Sequence, residues 1–284
     1  MMSGTTMKDH GVLANRYIFT GTLELKTPLR LSSGVASDET DAPLMRDASR
    51  RPLIPGSSLR GAVRSEVERI IGAGVVKGLK SCTLFTGDDC NEKAKAFLEE
   101  LEDGGVTDSA EREERLMNHI LTAHCDVCRL FGSTVFASRL VFHDSVPLKR
   151  GEHRDRSIIR DGVGIDRDTG AARENVKFDY EVLDSGGLSF GFEMTAENIE
   201  KEGSDHLLIN IALLVLKGGI HVGGKRAAGL GLVKLSDVKV KGFDDTAAML
   251  EMLARGEEPL SEKKISWSFE IFDPSASSKS GPEV

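Results

Sequence analysis

The stretch Ile54-Pro55-Gly56-Ser57-Ser58-Leu59-Arg60-Gly61-Ala62-Val63-Arg64 constrains the fold of this chain more than any other. Pro55-Gly56 is turn punctuation, and Ser57 or Ser58 is a natural N-cap for the helix that follows. From there Leu59, Val63, Val67 and Ile70 recur at helical spacing and predict a buried stripe. Arg60 and Arg64 are i, i+4 neighbours on a different face. A helix N-terminus with hydroxyls beside it and arginines one turn apart suits the phosphates of an extended polynucleotide. The plainer alternative is a capped amphipathic helix whose arginines are merely solvated.

Around this helix, strands and helices interleave irregularly. Arg16 to Leu31 reads as a strand pair or one long bent strand, with Phe19, Leu23 and Leu25 on one face and Pro28 ending or bending it. Ser32 to Arg51 is a long polar connection. Between Cys82 and Cys128 lies an insertion with two short amphipathic helices. Ala94, Phe97, Leu98 and Leu101 mark the first, stopped by Gly104-Gly105. Asp108 with Glu111 resembles a capping box for the second, which buries Leu116, Ile120 and Leu121. Arg139 to Val146 reads as a strand, and Pro147 to Ser185 is polar and charged. Leu188, Phe190, Phe192 and Met194 alternate with polar residues as a half-buried strand. Asp205 to Lys217 is an apolar helix, followed by a glycine-rich segment to Gly231, a strand through Val240, and a last strand carrying Ile265, Trp267, Phe269 and Ile271. An α+β sandwich with functional loops fits this order.

The net charge of −8 at first disfavours a nucleic-acid partner. Its distribution reverses that: Leu44 to Lys80 carries eight Lys/Arg against three acids, and Lys149 to Arg160 five against two, whereas Asp88 to Arg115 carries four against eleven. Acid is concentrated in one segment, so basic islands remain for a polyanion. Aromatics are only 5% of residues, which argues against recognition built on stacked bases. No apolar run reaches membrane-spanning length, and the first residues lack a secretory pattern; a cytoplasmic protein is expected.

The cysteines carry the strongest chemical signal. Cys125-Asp126-Val127-Cys128 is half of a tetrahedral Zn²⁺ site, and Cys82 and Cys90 supply the other half, with His119 or His124 as alternatives to Cys82. A metal there would stabilise two small helices short of apolar residues. Four unrelated reduced cysteines are the other possibility. The glycine-rich segment Gly218 to Gly231 matches no dinucleotide fingerprint. Its Walker-like spacing fails at Arg226, where a Mg²⁺-binding Ser/Thr is required. With His221, Lys225 and Arg226 it suits either phosphates or a solvated hairpin. Asp38, Glu39 and Asp41 crowd a loop ahead of the helix, as metal-recruiting carboxylates or as a solvated acidic loop.

Taken together, Thr40-Asp41-Ala42-Pro43-Leu44-Met45-Arg46-Asp47, Pro52 to Gly61, Cys125-x-x-Cys128-Arg129-Leu130-Phe131-Gly132-Ser133, Ser138-Arg139-Leu140 and Ile165-Asp166-Arg167-x-Thr169-Gly170-Ala171-Ala172 resemble the backbone RAMP subunits of type III CRISPR effector complexes. The resemblance covers roughly residues 16 to 240. It implies an α+β fold: a modified ferredoxin-like (RNA-recognition-motif) palm with a zinc-bearing lid insertion at 82–128 and a thumb β-hairpin at about 147–185. Residues 16–273 would form one domain between a flexible leader, 1–15, and a disordered tail, 274–284. The implied partners are crRNA, complementary target RNA, copies of the chain or related RAMP subunits, and other subunits of the complex. Asp41 matches the residue catalytic members need for target cleavage with Mg²⁺ or Mn²⁺. Arg46, Ser57, Ser58, Arg60, Arg64, Arg139, Arg160, Arg167, His221, Lys225 and Arg226 are the implied RNA-binding set. Competing readings are a non-catalytic RNA-binding scaffold, a stand-alone guide-processing ribonuclease using His221, and a zinc-stabilised protein-interaction module.

Overall fold

A computed structural model describes residues 10–32, 34, 36–37, 40–83, 86–87, 89–149, 156–258, 260 and 267–269. In chain order its elements are β1 (Arg16–Leu25), α1 (Gly56–Gly72), α2 (Cys90–Asp103), α3 (Ser109–Ala123), α4 (Asp126–Phe131), β2 (Leu140–Phe142), β3 (Ser157–Ile165), β4 (Ala172–Leu183), β5 (Ser189–Glu197), α5 (Ser204–Gly218), β6 (Ile220–His221), a 3₁₀ turn (Arg226–Ala228), β7 (Leu232–Phe243) and α6 (Thr246–Ala254).

Strand β1 is the axis of the main sheet. It pairs antiparallel with β5 on one side and β7 on the other, within the order β2-β5-β1-β7-β6. Register sets Phe19 opposite Met194 and Val240, and Leu23 opposite Phe190 and Leu235, so one face of three strands is apolar. Helices α1 and α5 supply the complementary surface: Leu59, Val63, Val67 and Ile71 from the first, Leu208, Ile209, Ala212, Leu213 and Leu216 from the second, all buried in one continuous core. Each such side chain contributes roughly 1.5–3 kcal/mol of transfer free energy. The buried stripe of α1 runs through Ile71 where Ile70 was expected, because its spacing holds to four residues throughout.

Helix α1 starts differently from the sequence expectation. Its N-cap position is Pro55 and no side chain caps it. Gly56 N–H instead donates to Asp144 Oδ1 at 2.8 Å, across from the end of β2. A Cβ on Gly56 would sit 1.9 Å from the Phe142 carbonyl oxygen, so only glycine lets helix and strand approach this closely. Ser57 is left exposed and Ser58 half-buried, with no capping role for either.

The insertion forms the two expected helices, although of Leu116, Ile120 and Leu121 on α3 only Ile120 is fully buried. Asp89 caps α2 through Asn91 N–H at 2.8 Å, and Asp108 caps α3 through Glu111 N–H at 2.8 Å. Residues 147–185, polar in composition and a thumb β-hairpin by the resemblance, contain a separate two-stranded antiparallel sheet of β3 and β4. Leu29 bridges Leu183 at the root of that hairpin. Helix α6, capped by Asp245, was not foreseen, since Thr246 to Ala254 is apolar without a helical stripe. The expected last strand falls mostly outside the described residues. Of it, Trp267 to Phe269 are described and form no strand, although Trp267 Nε1 donates to Asn210 Oδ1 at 3.0 Å and its ring meets Tyr17 and Phe19 edge-on. Asp38, Glu39, residues 1–9 of the leader and the whole tail 274–284 also lie outside them. No helix among the described residues is long and apolar enough to cross a membrane.

Arg139, expected to meet RNA, is buried. Its guanidinium is held bidentately by Asp205, with Nη1–Oδ2 at 2.6 Å and Nη2–Oδ1 at 2.7 Å, and it also donates to the carbonyls of Asn198 and Arg129. This arginine is therefore structural, joining the start of β2 to the end of β5 and the start of α5. Asp205→Ala strands a buried cation and should cost about 3–5 kcal/mol, lowering Tm by roughly 10 °C; a melting curve within a degree or two of the wild type would refute that role.

Candidate metal centre and nucleic-acid interface

Three chain segments bring the four cysteines together. Cys82 precedes α2, Cys90 opens it, Cys125 stands at the N-cap of α4 and Cys128 lies in its first turn. Their sulfurs all lie within 4.8 Å of one another, with Cys82 Sγ and Cys128 Sγ 3.5 Å apart. Tetrahedral thiolate ligands at about 2.3 Å from a metal stand roughly 3.8 Å apart, so the set fits one ion. It is also the only group of three or more Cys, His, Asp or Glu side chains so assembled among the described residues. Backbone N–H groups already point at the sulfurs, Cys125 N at Cys90 Sγ (3.2 Å) and Cys128 N at Cys125 Sγ (3.4 Å). The thiols share their protons: hydrogen bonds from Cys128 and Cys90 pull the Cys125 thiol far down. The same bonds push the Cys128 thiol up and the Cys90 thiol up to about 12. His119 and His124 stand outside the group. His119 stacks on Phe97 with centroids 4.2 Å apart, and burial pushes the His124 imidazole down to about 4.

Arg60 and Arg64, expected to face phosphate, turn toward this centre. Arg60 Nη2 donates to the Phe131 carbonyl, while Arg64 donates to the Gly132 carbonyl (2.8 Å), to Glu68 Oε1 (2.7 Å) and to Cys128 Sγ (3.2 Å). Burial alone would depress the Arg64 guanidinium, but Glu68 and Cys128 outweigh it and raise it. Arg60 has no such acid; burial and then the Arg64 charge lower it. The pair thus clamps the end of α4 onto α1 and sets a positive charge beside a sulfur.

A second set of residues meets on β4, whose side chains alternate between two faces. On one face Asp179 and Glu181 hold the segment carrying Asp41. Asp41 N–H donates to Asp179 Oδ1 at 2.8 Å, and Leu44 N–H to Glu181 Oε2 at 2.8 Å. Arg46 Nη2 pairs with Glu181 at 2.5 Å and reaches Ser157 Oγ at 3.3 Å. Burial opposes ionisation of Glu181, yet the Leu44 N–H, Ser157 and Arg46 keep its carboxyl below the usual range. Asp41 itself is exposed.

On the other face, Phe178 and Tyr180 lie 6.2 Å apart and roughly parallel. Lys225 Nζ sits 4.3 Å from the Phe178 ring centre and 5.6 Å from that of Tyr180, and the Arg30 guanidinium lies over Tyr180 at 5.1 Å. Lys225 is left-handed at φ 59°, and Gly223, at φ 87°, would place a Cβ 2.2 Å from the Arg30 carbonyl oxygen. The glycine loop is therefore docked on Arg30, which also accepts from Gly224 N–H at 3.0 Å. His221 Nδ1 faces the Leu230 carbonyl oxygen at 2.8 Å. Arg160 on β3 pairs across from Tyr180, while Arg226 and Arg167 are exposed, Arg167 in the turn at the hairpin tip.

The structure thus gathers Asp41, Arg46, Arg160 and Lys225 around the hairpin, buries Arg139, and ties the half-buried Arg60 and Arg64 to Phe131 and Gly132. Arg30, Phe178, Asp179, Tyr180 and Glu181 were missed. For the four on β4 the signal was the two-residue alternation of aromatic and acid at 178–181, within the segment assigned to the thumb hairpin. Replacing Cys125 by Ser should release a bound thiophilic ion and lower Tm by roughly 10 °C. Elemental analysis should give one ion per wild-type chain and a strongly reduced content in the variant; equal metal content in both would contradict a four-sulfur centre.

The profile of the RAMP superfamily matches residues 22–234. A protein of Methanocaldococcus jannaschii named CRISPR system Cms endoribonuclease Csm3 is 26% identical over 257 residues, which span 80% of this chain and 82% of the relative. A protein of the same name from Methanothermobacter thermautotrophicus is 23% identical over 252 residues, 79% of this chain and 85% of the relative. With the profile covering helices α1 to α5, the cysteine centre and the hairpin alike, this chain belongs to the RAMP superfamily.

Proposed function

We propose that this chain is a guide-RNA-binding backbone subunit of a type III CRISPR ribonucleoprotein, one whose copies line the crRNA and cut complementary RNA at regular intervals. The observation that carries the reading is the similarity, over 80% and 79% of this chain, to two proteins named as CRISPR endoribonucleases, joined to an exposed Asp41 held against the hairpin strand β4. The order β1-α1-β2-β5-α5-β7 with sheet sequence β2-β5-β1-β7 supports a ferredoxin-like palm. Residues 82–128 act as its lid and 147–185 as its thumb. The thiolate-only donor set favours Zn²⁺ as the structural ion.

Cleavage is read as transesterification. The 2′-hydroxyl oxygen of the target attacks the adjacent phosphorus and gives up its proton to a base, the bond to the 5′-oxygen breaks, and the products are a 2′,3′-cyclic phosphate and a 5′-hydroxyl whose proton comes from water. Asp41 orients or deprotonates that hydroxyl. Its carboxylate also fits Mg²⁺ or Mn²⁺, since Mg²⁺ sites commonly use one or two carboxylates, with water and substrate phosphate completing them. When bound, such an ion would neutralise charge developing on the scissile phosphate. Arg46, Arg160, Lys225, Arg226, Ser57, Ser58, His221 and, at the tip, Arg167 supply the RNA contacts of this reading.

Asp41→Ala in the assembled complex should slow target cleavage by at least about a hundredfold while guide and target binding persist; cleavage at the wild-type rate would refute the assignment. Removing Lys225 and Arg226 together should weaken RNA binding and flatten its dependence on salt. The slope of log K against log salt should fall by about 1–1.5, and an unchanged slope would place phosphate elsewhere.

A further inference from the structure

The loop bearing Asp41 is secured by the thumb strand β4. Asp41 N–H donates to Asp179 Oδ1 at 2.8 Å, and Asp179 N–H donates back to Asp41 Oδ2 at 3.2 Å. The Thr40 hydroxyl adds a hydrogen bond to the Asp179 carboxylate. That bond, then the Asp41 N–H, hold the Asp179 carboxyl below the usual carboxylate range, so it stands ionised as an acceptor. Two residues on, the pattern repeats with Glu181: its N–H donates to the Ala42 carbonyl at 3.1 Å while its carboxylate accepts from Leu44 N–H at 2.8 Å. Residues 40–46 are stitched to β4 partly by its side chains, where a neighbouring strand would use backbone alone. A reciprocal bond of this kind fixes both where the Asp41 backbone lies and which carboxylate oxygen it turns to the strand.

We propose that Asp179 is the positioning residue of the cleavage site: it sets the Asp41 carboxylate and ties that setting to the thumb, so that cutting depends on where the hairpin lies. This rests on the reading of Asp41 as the group needed for cleavage. Asp179 would act through its acceptor oxygen, not its charge, because its partners are an N–H and a hydroxyl. A metal-binding or proton-transferring Asp179 would instead require the carboxylate itself.

The test is single-turnover cleavage of labelled complementary RNA by the guide-loaded complex, with target affinity measured in parallel. The variants are Asp179→Asn, Asp179→Ala, Thr40→Val, Asp41→Ala and the Asp41→Ala/Asp179→Ala double. Asn retains a carbonyl oxygen for the Asp41 N–H, so Asp179→Asn should cut within about threefold of wild type. Asp179→Ala should slow cutting by about a hundredfold at unchanged target affinity, and Thr40→Val, which removes a single bond, should slow it severalfold. The double variant should cut no more slowly than Asp41→Ala, since both changes disable one unit. Asp179→Asn as inactive as Asp179→Ala would overturn the proposal in favour of a direct chemical role. Additive losses in the double would overturn it too, as would wild-type cutting by both Asp179→Ala and Thr40→Val. Should Asp179→Ala fail to assemble, Thr40→Val and Asp179→Asn still decide. Wild-type cutting by Asp41→Ala brings down the assignment of Asp41 and the proposal with it, an outcome distinct from every Asp179 result.

Discussion

Much of the architecture hangs on the buried pair of Arg139 and Asp205. A bidentate guanidinium–carboxylate pair inside a protein is strong only when its remaining donors and acceptors are also met. Here Asn198 and Arg129 take further arginine donors, and Glu200 N–H donates to the carboxylate at 3.1 Å. The groups involved come from the end of α4, the start of β2, the turn after β5 and the first residues of α5. A single polar knot thus fixes the edge of the main sheet against both the helix beneath it and the insertion that carries the cysteines. The geometry leaves no room for a different placement of β2, whose three residues have little pairing of their own.

From that fixed edge the two chemical regions are built by different means. The metal centre is closed by helix α1, whose arginines reach across to Phe131, Gly132 and Cys128. The region around Asp41 belongs to the hairpin, through the contacts of Asp179 and Glu181. Damage to the cysteines should therefore loosen the insertion before it disturbs the hairpin root, because no described contact runs directly from one to the other.

Strong local patterns were legible from the residues alone. The alternation at 188–194 gave β5, the spacing 59-63-67 gave α1, and Asp108 with Glu111 marked the start of α3. The four cysteines were grouped as the structure places them because a CxxC pair with two further thiols nearby suits one tetrahedral metal site. The partners that Arg60, Arg64 and Arg139 find within the fold were not legible for a common reason: a sequence displays charge but not where a long side chain ends. An arginine facing phosphate and one donating to a carbonyl 70 residues away have the same local context. Asp179 and Glu181 escaped notice for the complementary reason, since each accepts from a backbone N–H, that of Asp41 or of Leu44, and every non-proline residue possesses one.

The two-sidedness of β4 limits how this segment can vary in length. Leu183 is pinned to Leu29, so removing or adding one residue between Phe178 and Leu183 would rotate the upstream side chains to the opposite faces. Asp179 would then point at Lys225, and the aromatic rings would take its place beside the Asp41 loop. Both faces would fail in one step, whereas a two-residue change would keep each face with its own partners. Across natural variants, length differences at this root should come in even numbers, a parity rule imposed by the pleat itself.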